Sequence, residues 1–209
     1  MMPHATRLLA ALLAASLAGP VLAAESSTPD WPCVQRKVNL LTSAQFWDGP
    51  QVDDLTGWHD NDALLQLVAV LMSRRVTLEE AAAAIGDFAN KVPQETRDRS
   101  LQELFSALLA SANSERAVVI SGIERFQQRQ RARAHEIERQ GAEMHRLKER
   151  AAQDESVRGE LKEAEDKYNW DVRVFSERQQ SLPLACEVPV LIEQRLFALG
   201  REVRSHMRD

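Results

Sequence analysis

Only two cysteines, Cys33 and Cys186, occur in the 209 residues, near opposite ends of the chain. If they pair, everything between them must fold back on itself. Whether they pair depends on the compartment, and the first residues speak to that. Arg7 supplies a positive charge, Leu8 to Ala18 is an uncharged apolar run, and Pro20-Val21-Leu22-Ala23-Ala24 offers small residues for cleavage. The run is shorter than the roughly 20 residues needed to cross a bilayer. The expectation is a cleaved signal over residues 1–24. The mature chain is then periplasmic or secreted, from a bacterial source, with no stable membrane insertion after cleavage. In an oxidising compartment an even cysteine count most simply makes one disulfide. A loop this long would stabilise the fold by about 5 kcal/mol in the chain-entropy model. Neither cysteine belongs to a Cys-x-x-Cys or Cys-x-x-Cys-His motif, so neither thioredoxin-like redox chemistry nor covalent haem attachment is expected.

With only 8 Gly and 8 Pro and an abundance of Ala, Leu, Glu, Arg and Gln, the composition favours helix over sheet. The expected fold is all-α: a compact helical bundle with a long charged antiparallel helical hairpin, coiled-coil-like, and an irregular N-terminal strap. The net charge is −5, so the surface as a whole does not attract nucleic acid or anionic lipid.

Residues 25–58 form the strap, punctuated by Pro29, Pro32, Gly49, Pro50 and Gly57 and carrying Trp31, Phe46, Trp47 and Trp58. Thr42 to Trp47 suits one helical turn. Residues 59–112 form the helical body. Its first helix, Asp60 to Arg75, has Asp60 as N-cap and Arg74 and Arg75 at its C-terminal end. Thr77-Leu78-Glu79-Glu80 is a capping box that opens a second helix ending before Pro93. A third, from about Gln94 to Ala112, shows Leu101, Leu104, Phe105, Leu108 and Ala112 at helical spacing.

Residues 113–183 form the arm, with Asn113-Ser114 as the cap of a new long helix. Between Glu124 and Lys167, 22 of 44 residues are charged, 11 of each sign. Ile123, Gln130, Ile137, Met144 and Ala151 keep heptad spacing, but their companions Arg133, Gln140 and Asp154 are polar. From Val157 an apolar stripe resumes through Leu161, Ala164, Tyr168, Val172 and Phe175. Complementarity between the two halves favours a hairpin turning near Gln153-Asp154 over one continuous helix. It would set Arg146 and Arg150 near the acidic stretch from Glu155 to Glu163. Pro183 is expected to stop the arm. Residues 184–209 then form a C-terminal helix with Pro189 at its first position, packing back on the body.

Few candidate sites emerge. Arg125, Arg129, Arg131 and Arg133 form a basic cluster that could dock an acidic protein segment, though no interleaved aromatics suggest nucleic acid. Trp31, Trp47, Trp58, His59 and Asp60 could line a ligand cleft, although strap anchors and helix caps explain them as well. His135, Glu138 and His145 share a helix face, yet the two histidines would lie about 15 Å apart and cannot share a metal. No metal site or cofactor is therefore expected. Serine-nucleophile, phosphate-loop and dinucleotide fingerprints do not occur. The reading ends at an exported, non-enzymatic interaction protein, such as a scaffold, assembly factor or chaperone-like subunit. It would meet a protein partner or a second copy through its arm. A periplasmic ligand- or metal-binding protein using the Trp-rich region is the alternative.

Overall fold

The computed structural model describes residues 30–53 and 55–208. The signal expected over residues 1–24 and the start of the strap lie outside these. Four α-helices, α1 (Asp62–Met72), α2 (Leu78–Lys91), α3 (Arg97–Ala151) and α4 (Arg158–Ser205), carry the fold, with no strand among the described residues. The all-α expectation is met.

α3 has 55 residues and α4 has 48. At 1.5 Å per residue they are about 80 and 70 Å long. They run antiparallel, joined by a short turn. There Ala152 and Asp154 donate their N–H groups to Lys148 and Arg150, and the Asp154 carboxylate accepts from the Ser156 N–H at 3.0 Å. The structure forms the hairpin that the complementarity of the two halves favours over one continuous helix.

The N-terminal part of α3 and the C-terminal part of α4 pack with α1, α2 and the strap around one core. Leu101, Leu104, Phe105 and Leu108 of α3 meet Ile192, Leu196, Leu199 and Val203 of α4 there, with Leu64, Val68 and Leu71 of α1 and Ala81, Ile85 and Ala89 of α2. The i, i+4, i+8 spacing on α2 places its three buried residues on one stripe, small enough at Ala81 and Ala89 for close approach. Beyond this body the two long helices continue as an arm. Leu147 and Val157 are buried at its distal end.

Several helix boundaries differ from expectation. Asn113-Ser114 caps nothing, because α3 passes straight through. The Asn113 side chain instead pairs with the strap backbone, accepting from Leu41 N–H at 2.8 Å and donating to Leu41 O at 3.0 Å. Pro183 does not stop α4, and Cys186 and Pro189 lie inside it. An interior proline costs a helix roughly 3 kcal/mol. α4 tolerates both because it is pinned along its length: Leu182, Ala185 and Val188 face Val119, Ile123 and Phe126 of α3 across a shallow groove. The α1 N-cap is Asn61, whose side chain accepts from Leu64 N–H, rather than Asp60. α1 ends at Met72, and Arg195 from α4, not Arg74 or Arg75, donates to the Leu71 carbonyl at 2.6 Å. The capping box at Thr77 and Glu80 forms as expected, and the hydrogen bonds from Thr77 hold the Glu80 carboxyl below its ordinary pKa.

Candidate interaction surface

The strap runs antiparallel to α3 and its contacts descend the helix in order. Asp30 meets Gln128 and Arg131, Lys37 pairs with Glu124, the Val38 carbonyl accepts from Arg116, and Leu41 pairs with Asn113. Lower down, the Leu55 carbonyl accepts from Ser106. Cys33 bonds to Cys186 with 5.7 Å between the Cα atoms, and Gln35 donates from its amide to the Cys186 carbonyl. The two cysteines pair as expected, and the strap is thereby fixed to α4 as well as α3.

An apolar groove of about 550 Å³ opens beside the disulfide, lined by Pro32, Cys33, Val34 and Gln35 of the strap and by Leu182, Pro183, Cys186, Val190 and Leu191 of α4. Glu187 and Gln194 of α4 join Gln35 as its polar residues. Val34 is fully exposed on its rim, and Leu184 and Leu191 on α4 are 67% and 49% exposed. Two heptads back from Leu184 along the same helix face, Trp170 is 59% exposed, with the Arg173 guanidinium 4.5 Å from its ring centre. Trp170, Leu184 and Leu191 are separated by multiples of seven, so they share a face of α4. This row was not singled out in the sequence, because α4 was expected to break at Pro183, which would have divided it.

A charged cluster lies where arm and body join. Arg116 is the largest fully buried side chain, 2% exposed, and its guanidinium pairs with Glu193 at 2.8 Å while donating to Val38 O. One residue back, burial pushes the Glu115 carboxyl above its ordinary pKa, against the opposing pull of Arg74 and Arg195. Burial likewise lowers the Arg195 pKa, opposed by Glu115. Arg116 was also missed. Its signal was present: it falls four residues after Ala112 and four before Ile120, a charge in the middle of an apolar stripe.

The sequence candidates do not converge. Arg131 is tied to Asp30, and Arg133 reaches across the arm to Asp171 at 3.4 Å. Arg125 and Arg129, four residues apart, are left on the exposed face of α3. Arg146 pairs with Glu143 on its own helix, so it does not reach the acidic stretch after the turn; Lys148 makes a crossing instead, to Glu165 at 3.1 Å. The three strap indoles each donate to a nearby carbonyl: Trp31 to Gln35, Trp47 to Pro50 and Trp58 to Leu55. Trp47 also stacks on Phe105 with centroids 4.4 Å apart, and Trp58 on His59 at 3.7 Å. Asp60 is exposed at the end of a short 3₁₀ turn, Gly57–Asp60. His135 and His145 pair with Glu138 and Glu149, and no group of three metal-ligating side chains occurs among the described residues.

These features define an all-α helical protein with a two-helix arm and a disulfide-fastened strap. No helix among the described residues is long and apolar enough to cross a membrane. Compared with protein-family models, with curated proteins and with solved structures, the chain finds no match. What the surface offers chemically is exposed apolar area on α4 and the strap beside a groove with a few polar residues.

Proposed function

We propose that this is an exported, non-enzymatic interaction protein, a scaffold, assembly factor or chaperone-like subunit, that meets a protein partner through its helical arm and the groove at the arm's base. The observation that carries this reading is the exposed row of Trp170, Leu184 and Leu191 on α4, continued by Val34 beside the disulfide. Scattered exposed apolar residues are ordinary, but Leu184, Leu191 and Val34 gather at one end of the arm beside an apolar groove, with Trp170 further along the same helix face, and such a grouping favours a binding role. Export is supported by the pattern of residues 1–24 and by the Cys33–Cys186 bond.

A photo-crosslinking residue placed at Leu184 or Leu191 tests the reading in cells. Discrete adducts are expected from these positions and not from Glu95, exposed in the turn between α2 and α3. Leu184→Glu with Leu191→Glu should remove the adducts formed at Trp170 while leaving the thermal midpoint within a few degrees. Absence of adducts at all three positions would sink the proposal. Mass spectrometry of the purified chain tests export separately, with a mature N-terminus expected near Ala24 or Glu25.

A further inference from the structure

The strap has two parts with different holds on the body. From Leu41 onward it is anchored through buried side chains, Leu41, Trp47, Val52 and Leu55. In residues 30–40 no side chain is buried. That stretch rests on α3 and α4 through the exposed Asp30–Arg131 pair, the more sheltered Lys37–Glu124 pair, the Gln35 amide and the Arg116 bond to Val38 O. The exposed pair holds weakly in water, and the few remaining polar contacts bury no side chain of the stretch itself. The firmest hold on it is covalent, the bond from Cys33 to Cys186. This bond is reachable, since Cys33 is only half-buried and both cysteines line the open groove.

We propose that the Cys33–Cys186 disulfide is a redox latch whose reduction frees residues 30–40 from α3 and α4 while the helical body, whose core begins at Leu41, stays folded. The reductant is a dithiol. One of its thiolates attacks the Cys33 sulfur, the bond to Cys186 breaks, and Cys186 leaves as a thiolate that takes a proton from solvent. The second thiol of the reductant loses its proton and displaces Cys33, which is protonated in turn. Two electrons pass to the protein, and the reductant departs as its own disulfide. The open strap then uncovers the face of α3 carrying Arg116 and Glu124, whose partners Val38 and Lys37 lie in the freed stretch. This device does not depend on which partner the arm meets.

Arg36 and Lys37 place trypsin sites within the freed stretch. The folded protein is reduced with dithiothreitol, its thiols are alkylated, and it is digested briefly. Cleavage after Arg36 and Lys37 is expected to accelerate at least about tenfold, as local opening exposes that segment, with the helical circular dichroism unchanged. Loss of the helical signal on reduction would overturn the latch, because the bond would then hold the whole fold. Unchanged cleavage would overturn it as well, as would a bond that dithiothreitol reduces only in denaturant. Cys33→Ser gives an independent route: it should be cut as fast as the reduced wild type, and a variant cut no faster than the oxidised protein contradicts the proposal.

Discussion

Arg116 on α3 and Glu193 on α4 form an ion pair of 2.8 Å at the point where the arm leaves the body, with the arginine 2% exposed and the carboxylate side chain 32% exposed. The same guanidinium donates to Val38 O. One side chain therefore joins both long helices and the strap. Removing Glu193 leaves a buried cation without its counter-charge, whereas Arg116→Met fills the space with apolar atoms and lets Glu193 turn toward water. Glu193→Ala should cost about 2–3 kcal/mol, discounted from a fully buried pair for the exposure of the carboxylate, and Arg116→Met should cost less. Urea denaturation of both variants checks the order. The reverse order would mean that the hydrogen bond to the strap matters more than the charge pair.

The disulfide should stabilise less than its span implies. Constraining the unfolded chain from Cys33 to Cys186 is worth about 5 kcal/mol in the chain-entropy model. In the reduced folded protein, however, the strap stays tethered at Leu41, so re-closing it costs only a short loop. The difference between the two closures is about 2–3 kcal/mol. Chemical denaturation of oxidised and reduced protein measures it.

At Gly200 the strap backbone packs tightly on α4. A Cβ there would meet the Phe46 carbonyl oxygen at 2.8 Å and the Phe105 ring at 2.9 Å. Backbone cannot yield as a flexible side chain does, so Gly200→Ala should destabilise by about 1–3 kcal/mol despite the better helix propensity of alanine. Gly122, inside α3, has nothing within 4 Å of the same position. Gly122→Ala should stabilise by about 0.5–1 kcal/mol. Thermal melts of the pair should therefore shift in opposite directions.

Pro183 lies exposed within α4 and supplies no N–H. Restoring that donor with Pro183→Ala should raise stability by about 1–3 kcal/mol. A loss on urea denaturation would show that the proline ring packs usefully against its neighbours.

Acid should loosen the arm before the body. The Asp171 carboxyl is held below its ordinary pKa chiefly by the Gln140 amide, then by Lys167 and Arg133. A lowered folded pKa means its contribution is complete above the unfolded value and is lost as pH falls through the folded one, from about pH 4 downward. Asp171→Asn should flatten that acid limb. Hydrogen exchange of arm amides between pH 5 and about pH 2.5, referenced to intrinsic rates, reads it; equal acid sensitivity in the variant would rule Asp171 out.

The all-α class, the capping box at Thr77, the hairpin turn after Ala151 and the Cys33–Cys186 pair were all legible in the sequence. Each follows from local chemistry or from counting: a hydroxyl three residues before a carboxylate, two stripes that need each other, two thiols in an oxidising compartment. Asn113, Pro183 and Arg116 were not legible in this way. Asn113 has the chemistry of a helix cap and Pro183 that of a helix stop, and both local preferences are worth only a few kcal/mol. Packing of α3 against α4 outweighs them, so two segments that locally favour breaks become continuous helices. The surface that matters most for the proposed function follows from that override. Only because α4 runs unbroken past Pro183 do Trp170, Leu184 and Leu191 share one face. Only because α4 and the strap both lie against α3 does a charge on an apolar stripe, Arg116, find Glu193 and Val38 as partners for its Nη2, while Nε and Nη1 stay buried without a hydrogen bond. Local sequence determined which segments are helical; contacts between residues far apart in the chain decided where the helices end and what they present.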